Sequence, residues 1–171
     1  MAPDVLFTAE QIQARVRSLA AEIASGPLKP DIAMPVLVGG FVFAADLLRA
    51  LAWEGVPLDV EMIWLRSYGD KRVASAISMI AGPSEQIAGR HVLVIDGVLD
   101  AGRTIAKAVS LIKAAGAASV QVAVMLDKQR ADAVAQADYV GFPIGNDFVI
   151  GYGMDDAGRH RGLPYIGKVP S

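Results

Sequence analysis

The chain has 171 residues, 53% of them hydrophobic and 20% charged, which suits one compact domain over residues 1–171 and leaves no length for two. Sixteen Lys and Arg against eighteen Asp and Glu give a net charge of -2, so no global positive field exists to attract nucleic acid. With no cysteine, disulfides and zinc–thiolate sites are excluded, and any chemistry must use oxygen and nitrogen groups or an oxygen-bound metal.

The first ten residues carry Asp4 and lack a basic stretch before an apolar one. No apolar run elsewhere approaches the roughly 18 residues of a membrane span, so a cytoplasmic chain without a membrane partner is expected. Thr8-Ala-Glu-Gln11 has the spacing of a capping box, and Ile12, Val16, Leu19 and Ile23 follow as one helical stripe, ended by Gly26-Pro27. Ile32–Val38 reads as a buried strand, Gly39-Gly40 as a tight turn, and Phe43, Leu47, Leu48 and Leu51 as a helix running up to Gly55. Val60–Leu65 is a second strand, and the polar stretch Arg66–Arg72 has the composition of a mobile loop. Val92–Ile95 is almost entirely β-branched without alternation, the pattern of a strand buried on both faces of a parallel sheet. Ile105, Val109 and Ile112 form the next helix, with Gly116 past its end, and Val120–Met125 is another buried strand. Tyr139–Phe142, Phe148–Tyr152 and Pro164–Val169 read as shorter strands and loops. The order predicts an open parallel α/β sheet with its site beyond the carboxyl ends of the strands.

One segment concentrates chemistry. Val92-Leu-Val-Ile-Asp-Gly-Val-Leu-Asp-Ala-Gly-Arg-Thr104 is expected to end its strand at Asp96, loop through Asp100 and enter a helix at Gly102-Arg-Thr104. Backbone N–H groups at the start of that helix, with the helix dipole, suit an anion; Gly102 allows close approach, Thr104 adds a hydroxyl and Arg103 a charge. Asp96 and Asp100 are placed to accept sugar hydroxyls, help hold Mg²⁺ or take a proton. The plainer alternative has Asp96 merely ending a strand and Asp100 merely capping a helix. Neither a Walker loop nor a GxGxxG fingerprint is present, which argues against an ordinary dinucleotide-binding domain.

Taken with other segments in order along the chain, this one resembles the type I phosphoribosyltransferases, and more narrowly their hypoxanthine/guanine branch. The matching stretches are Leu37-Val-Gly-Gly-Phe41, Arg66-Ser-Tyr-Gly69, Asp100-Ala-Gly-Arg-Thr104, Leu126-Asp-Lys128, Phe148-Val-Ile-Gly-Tyr-Gly-Met-Asp155 and Arg161-Gly-Leu-Pro-Tyr165. The resemblance implies an open, mostly parallel sheet flanked by helices, with a small hood made by the terminal segments. It implies transfer of phosphoribosyl from phosphoribosyl pyrophosphate to a 6-oxopurine with Mg²⁺, in a homodimer or homotetramer. By the same resemblance Asp100 handles the purine proton, Asp96 accepts ribose hydroxyls, and Asp100, Ala101, Gly102, Arg103 and Thr104 cradle the 5-phosphate. Val38, Gly39 and Arg161 are the pyrophosphate contacts, and Ser67 and Tyr68 belong to the lid. Phe148 stacks on the purine, Val149 contacts its edge, Gln136 takes the place of the Lys that reads the 6-oxo group, and Asp155 and Asp96 lie near the metal.

Three departures accompany the match: Val38 stands where the branch has Lys, Gly97 where it has a second acidic residue, and Gln136 where it has Lys. Each removes a charge-assisted contact of roughly 1.5–3 kcal/mol, for which Arg66 or Arg103 are possible compensating charges. Restoring Gly97→Asp or Val38→Lys is then expected to tighten donor binding. A rival reading follows from the same departures: a weakened homologue that senses a nucleotide or phosphoribosyl pyrophosphate. A third keeps the transferase chemistry and changes the base.

Overall fold

The computed structural model describes residues 4–68 and 76–169, with Tyr68 described by its backbone alone. The first helix, α1 (Ala9–Ser25), begins with the expected capping box: the Gln11 N–H donates to Thr8 Oγ1 at 3.3 Å and the Thr8 N–H to Gln11 Oε1 at 2.8 Å. Its stripe Ile12, Val16, Leu19 and Ile23 is buried.

A seven-stranded sheet organises the rest. Its order is β5 (Ala76–Ala81), β4 (Ile63–Tyr68), β2 (Ile32–Leu37), β6 (His91–Leu99), β7 (Ser119–Asp127) and β8 (Tyr139–Pro143), with the short β3 (Asp59–Val60) alongside β2. β2, β3, β4, β6, β7 and β8 run parallel and β5 is antiparallel. Both faces of the central strands β2, β6 and β7 are buried, because strand side chains alternate. Ala33, Leu93, Ile95, Ala123 and Met125 point into one core with α1 and α2 (Phe41–Trp53). Ile32, Met34, Val92, Val94, Val122 and Val124 point into the other with α3 (Arg103–Ala114). This is why the central strands read as continuous apolar runs.

After β2 the chain builds β4 on one side of it and β6 on the other, and α2 and α3 leave those neighbouring strands toward opposite faces. Such a switch point opens a crevice at the carboxyl ends of β2 and β6. A small antiparallel sheet, β1 (Asp4–Phe7), β10 (Ile166–Lys168) and β9 (Val149–Ile150), forms the hood from the two ends of the chain. Stacking of Phe7 on Phe142, 4.0 Å between ring centres, ties it to β8.

Three expectations are corrected. β6 does not end at Asp96 but runs on to Leu99, because Val98 and Leu99 keep their ladder with Leu126 and Asp127. Val60–Leu65 is two strands, β3 and β4. Arg66, Ser67 and Tyr68 belong to β4, where Ser67 pairs with Ile77 of β5, so they are ladder residues and not loop; residues 69–72 lie outside the described residues. In each case strand pairing, a tertiary property, overrides a weak local preference.

Candidate active site

Two strand-to-helix turns face each other across the crevice. At the end of β6, Gly102 adopts φ +79° as the N-cap of α3, and a Cβ there would stand 2.8 Å from the Ala135 nitrogen, so only glycine fits. The first N–H groups of α3 have no partner within the helix and open into a cavity of about 590 Å³ lined by Asp96, Asp100–Thr104 and Arg130. Dipole, N–H groups, Thr104 and Arg103 make this an anion cradle.

The connection from β7 to β8 folds back over that turn through backbone bonds from Lys128 N–H to Leu99 O (3.0 Å) and from Val134 N–H to Ala101 O (2.9 Å). Asp127 stabilises the reversal by accepting from the Gln129 N–H at 2.8 Å, with Gln129 at φ +53°. As a result Lys128 Nζ lies 3.0 Å from Asp100 Oδ2 and Arg130 NH1 2.9 Å from Asp100 Oδ1. Burial alone would raise the Asp100 carboxyl, but the two cations outweigh it and hold it below the ordinary carboxylate value. Asp100 caps no helix, which disposes of the plainer alternative for this residue; the cap is Gly102.

A second cavity of about 210 Å³ shares Asp100 and Val98 with the first and adds Gly39, Lys128, Phe148, Val149, Met154, Asp155 and Arg161. Phe148 leaves half of its surface exposed, an open aromatic face beside the buried Val149. Arg161 donates to Gly153 O at 2.7 Å and pairs with Asp155 at 2.8 Å. The β2–α2 turn contributes Gly39, whose position for a Cβ lies 3.8 Å from Asp96 Oδ1 and 4.0 Å from Arg161 NH1. Val38 in that turn is 38% exposed, and the Leu37–Val38 peptide is cis. Burial pushes the Asp96 carboxyl up to about 7, against one opposing hydrogen bond of 2.7 Å from the Gly97 N–H.

Most of the sequence-derived residues therefore converge: Asp96, Asp100–Thr104, Gly39, Phe148, Val149, Asp155 and Arg161 line two adjoining cavities. Gln136 does not join them. It faces away, into a groove with Ile105, Ser110 and Lys113 and a polar recess with Leu99 and Asp127, because the connection turns back before reaching it. Lys128, not Gln136, stands beside Phe148 and Val149. Ser67 is an exposed β4 residue, the side chain of Tyr68 is outside the described atoms, and Arg66 lies over the Trp64 ring at 5.5 Å. Sequence reasoning passed over Arg130, and it placed Lys128 in a matching stretch without giving it a role. Lys128 had a usable signal, since it follows a predicted parallel strand at its carboxyl end, whereas Arg130 had none.

Among the described residues no group of three or more His, Cys, Asp or Glu side chains forms a metal cage. Asp96 puts a carboxylate on the wall of the larger cavity and Asp155 one on the wall of the smaller, a donor type that suits Mg²⁺, which keeps waters and is commonly held by one or two carboxylates plus substrate phosphates.

The phosphoribosyl transferase domain family matches residues 4–157. The chain belongs to that family. Its branch is hypoxanthine-guanine: the hypoxanthine-guanine phosphoribosyltransferase of Bacillus subtilis is 36% identical over 170 residues, covering 96% of this chain and 92% of the relative. The hypoxanthine phosphoribosyltransferase of Haemophilus influenzae is 34% identical, covering 97% and 94%. The bifunctional protein TilS/HprT of Listeria innocua is 38% identical over 95% of this chain, which spans only 25% of that longer relative. The solved hypoxanthine phosphoribosyltransferase of Trypanosoma cruzi, in complex with the product IMP, is 34% identical with a TM-score of 0.88 over 99% of this chain and 95% of its own.

Proposed function

We propose that this chain transfers the phosphoribosyl group of phosphoribosyl pyrophosphate to a 6-oxopurine, hypoxanthine or guanine, as a cytoplasmic purine-salvage enzyme assembled as a homodimer or homotetramer. The observation that carries this reading is Asp100, which forms the wall between the anion cradle and the cavity of Phe148. A 5-phosphate in the cradle and a base stacked on Phe148 would meet over that carboxylate.

In the reaction the bond from ribose C1 to pyrophosphate breaks, the bond from C1 to the purine nitrogen forms, and the purine proton leaves to Asp100. The transition state resembles an oxocarbenium ion, so catalysis consists largely of positioning and charge stabilisation. The cradle of residues 101–104 fixes the phosphate, Asp96 accepts ribose hydroxyls, and Gly39 and Arg161 face the pyrophosphate. Lys128, with its side chain only 11% exposed, is the donor for the 6-oxo oxygen in place of Gln136. Asp155 and Asp96 would hold Mg²⁺ through oxygen, where it supplies neutralisation of the departing pyrophosphate.

The sensing alternative is favoured by Gly97, which leaves the ribose side with one carboxylate. One assay separates the two: purified protein, Mg²⁺ and phosphoribosyl pyrophosphate tested against hypoxanthine, guanine, xanthine and adenine. Formation of inosine or guanosine monophosphate is the expected result; nucleotide binding without turnover would establish the sensor instead.

A further inference from the structure

Arg130 occupies a position that the reaction above does not use. Its NH1 lies 2.9 Å from Asp100 Oδ1, while Nε and NH2 form a fork on Asp132 at 2.9 and 2.8 Å. It also lines the cradle cavity beside Ala101–Thr104. The two cations on Asp100 differ in kind. Lys128 is 11% exposed and belongs to the purine-side cavity, whereas Arg130 is 36% exposed and its other partner, Asp132, is 71% exposed.

That asymmetry sets which contact yields. Pairs between exposed side chains are weak, so the fork on Asp132 is readily exchanged. A phosphate in the cradle offers the same guanidinium a doubly charged, bidentate acceptor, the geometry that arginine matches best. Lys128, deeper and on the other oxygen, has no such competitor in the cradle. Resting on the transferase reading, we propose that Arg130 is a positioning residue that couples the two halves of the site: it holds Asp100 in the unliganded enzyme and passes to the donor 5-phosphate when the cradle fills. Asp100 Oδ1 is then released toward the purine N–H while Lys128 keeps Oδ2 in place. Filling the cradle thereby prepares the purine side, and by linkage a bound purine favours the phosphate equally.

The test measures binding and needs no turnover. Hypoxanthine affinity is titrated calorimetrically with and without saturating ribose 5-phosphate, in the wild type, R130M and D132N. In the wild type, ribose 5-phosphate is expected to tighten hypoxanthine by about 5–150-fold, the usual range of site coupling. In R130M that gain disappears, ribose 5-phosphate itself binds about 10–150-fold more weakly, and hypoxanthine alone binds no worse than to the wild type. D132N, which frees the guanidinium fork of Arg130 and removes a negative charge that acts on Arg103, binds ribose 5-phosphate about 1.5–5-fold more tightly, and this gain is absent from the double variant R130M/D132N. Coupling that persists in R130M overturns the proposal, as does unchanged or weaker ribose 5-phosphate binding in D132N. If R130M does not fold, D132N alone decides. Failure of the wild type to bind either ligand overturns the transferase reading and the proposal with it, whereas normal binding without coupling removes only the proposal.

Discussion

The Gly39 carbonyl oxygen lies 2.9 Å from the point at which a Cβ on Gly97 would stand. A Cβ on Gly153 would lie 2.6 Å from the same oxygen, so that carbonyl is held between two glycines. In this chain a side chain at position 97 would therefore meet the β2–α2 turn, which would have to shift to admit it.

Gly97→Asp, expected from sequence to restore donor affinity, is accordingly expected to destabilise the protein by about 1–3 kcal/mol through overpacking and to leave donor binding no tighter. Val38→Lys meets no such obstacle at a partly exposed position and should tighten the donor by about 10-fold or more. Thermal unfolding and calorimetric titration of phosphoribosyl pyrophosphate with Mg²⁺ check both, and tighter donor binding by Gly97→Asp would refute the packing argument.

Lys128 and Gln136 make opposite predictions for base recognition. Lys128→Met should weaken hypoxanthine and guanine by about 10–150-fold, the loss of a charge-assisted hydrogen bond, and narrow the preference for 6-oxo over 6-amino purines. Gln136→Ala should stay within about 2-fold, since Gln136 faces away from Phe148. Comparing kcat/KM for hypoxanthine and adenine in the two variants is decisive; a larger effect at Gln136 would return the purine contact to that residue.

Asp100→Asn should keep the fold while lowering turnover by roughly 10²–10⁴-fold, the usual share of general acid–base catalysis. Turnover within a few-fold of wild type would remove the proton-handling role.

The Asp96 carboxyl makes stability depend on pH. Its ordinary value is 3.8 and burial pushes it to about 7 in the folded chain. Between those values the folded state binds more protons than the unfolded state, so stability falls as pH rises from about 4 to 7 and stays lower above. The loss is on the order of 2–4 kcal/mol. Urea unfolding in the presence of chelator should show the wild type less stable at pH 8 than at pH 5, with the difference much reduced in Asp96→Asn; equal pH dependence in the two proteins would show that Asp96 is not the group responsible.

Much of this protein was determined by its sequence alone. The capping box at Thr8, the helical stripe after it and the apolar runs at residues 32–37, 92–95 and 120–125 are local or periodic signals, and each produced the element it predicted. Gly102 before Arg103-Thr104 marked the cradle because a glycine at a helix start lets an anion come close to the free N–H groups. Phe148, Asp155 and Arg161 were reached through motif order.

What the tertiary structure alone decided are the relationships between segments distant in the chain. Arg66–Tyr68 became strand because β5 was available to pair with it, and β6 continued past Asp96 because β7 ran beside it. Lys128 and Arg130 reached Asp100 because two backbone hydrogen bonds fold the β7–β8 connection over the cradle turn. The same reversal turned Gln136 away. Whether position 97 has room for a carboxylate likewise depends on the Gly39 carbonyl packed against it. Periodicity and turn chemistry act over a few residues, whereas partner choice for a charge and room for a side chain depend on which backbones the sheet brings together.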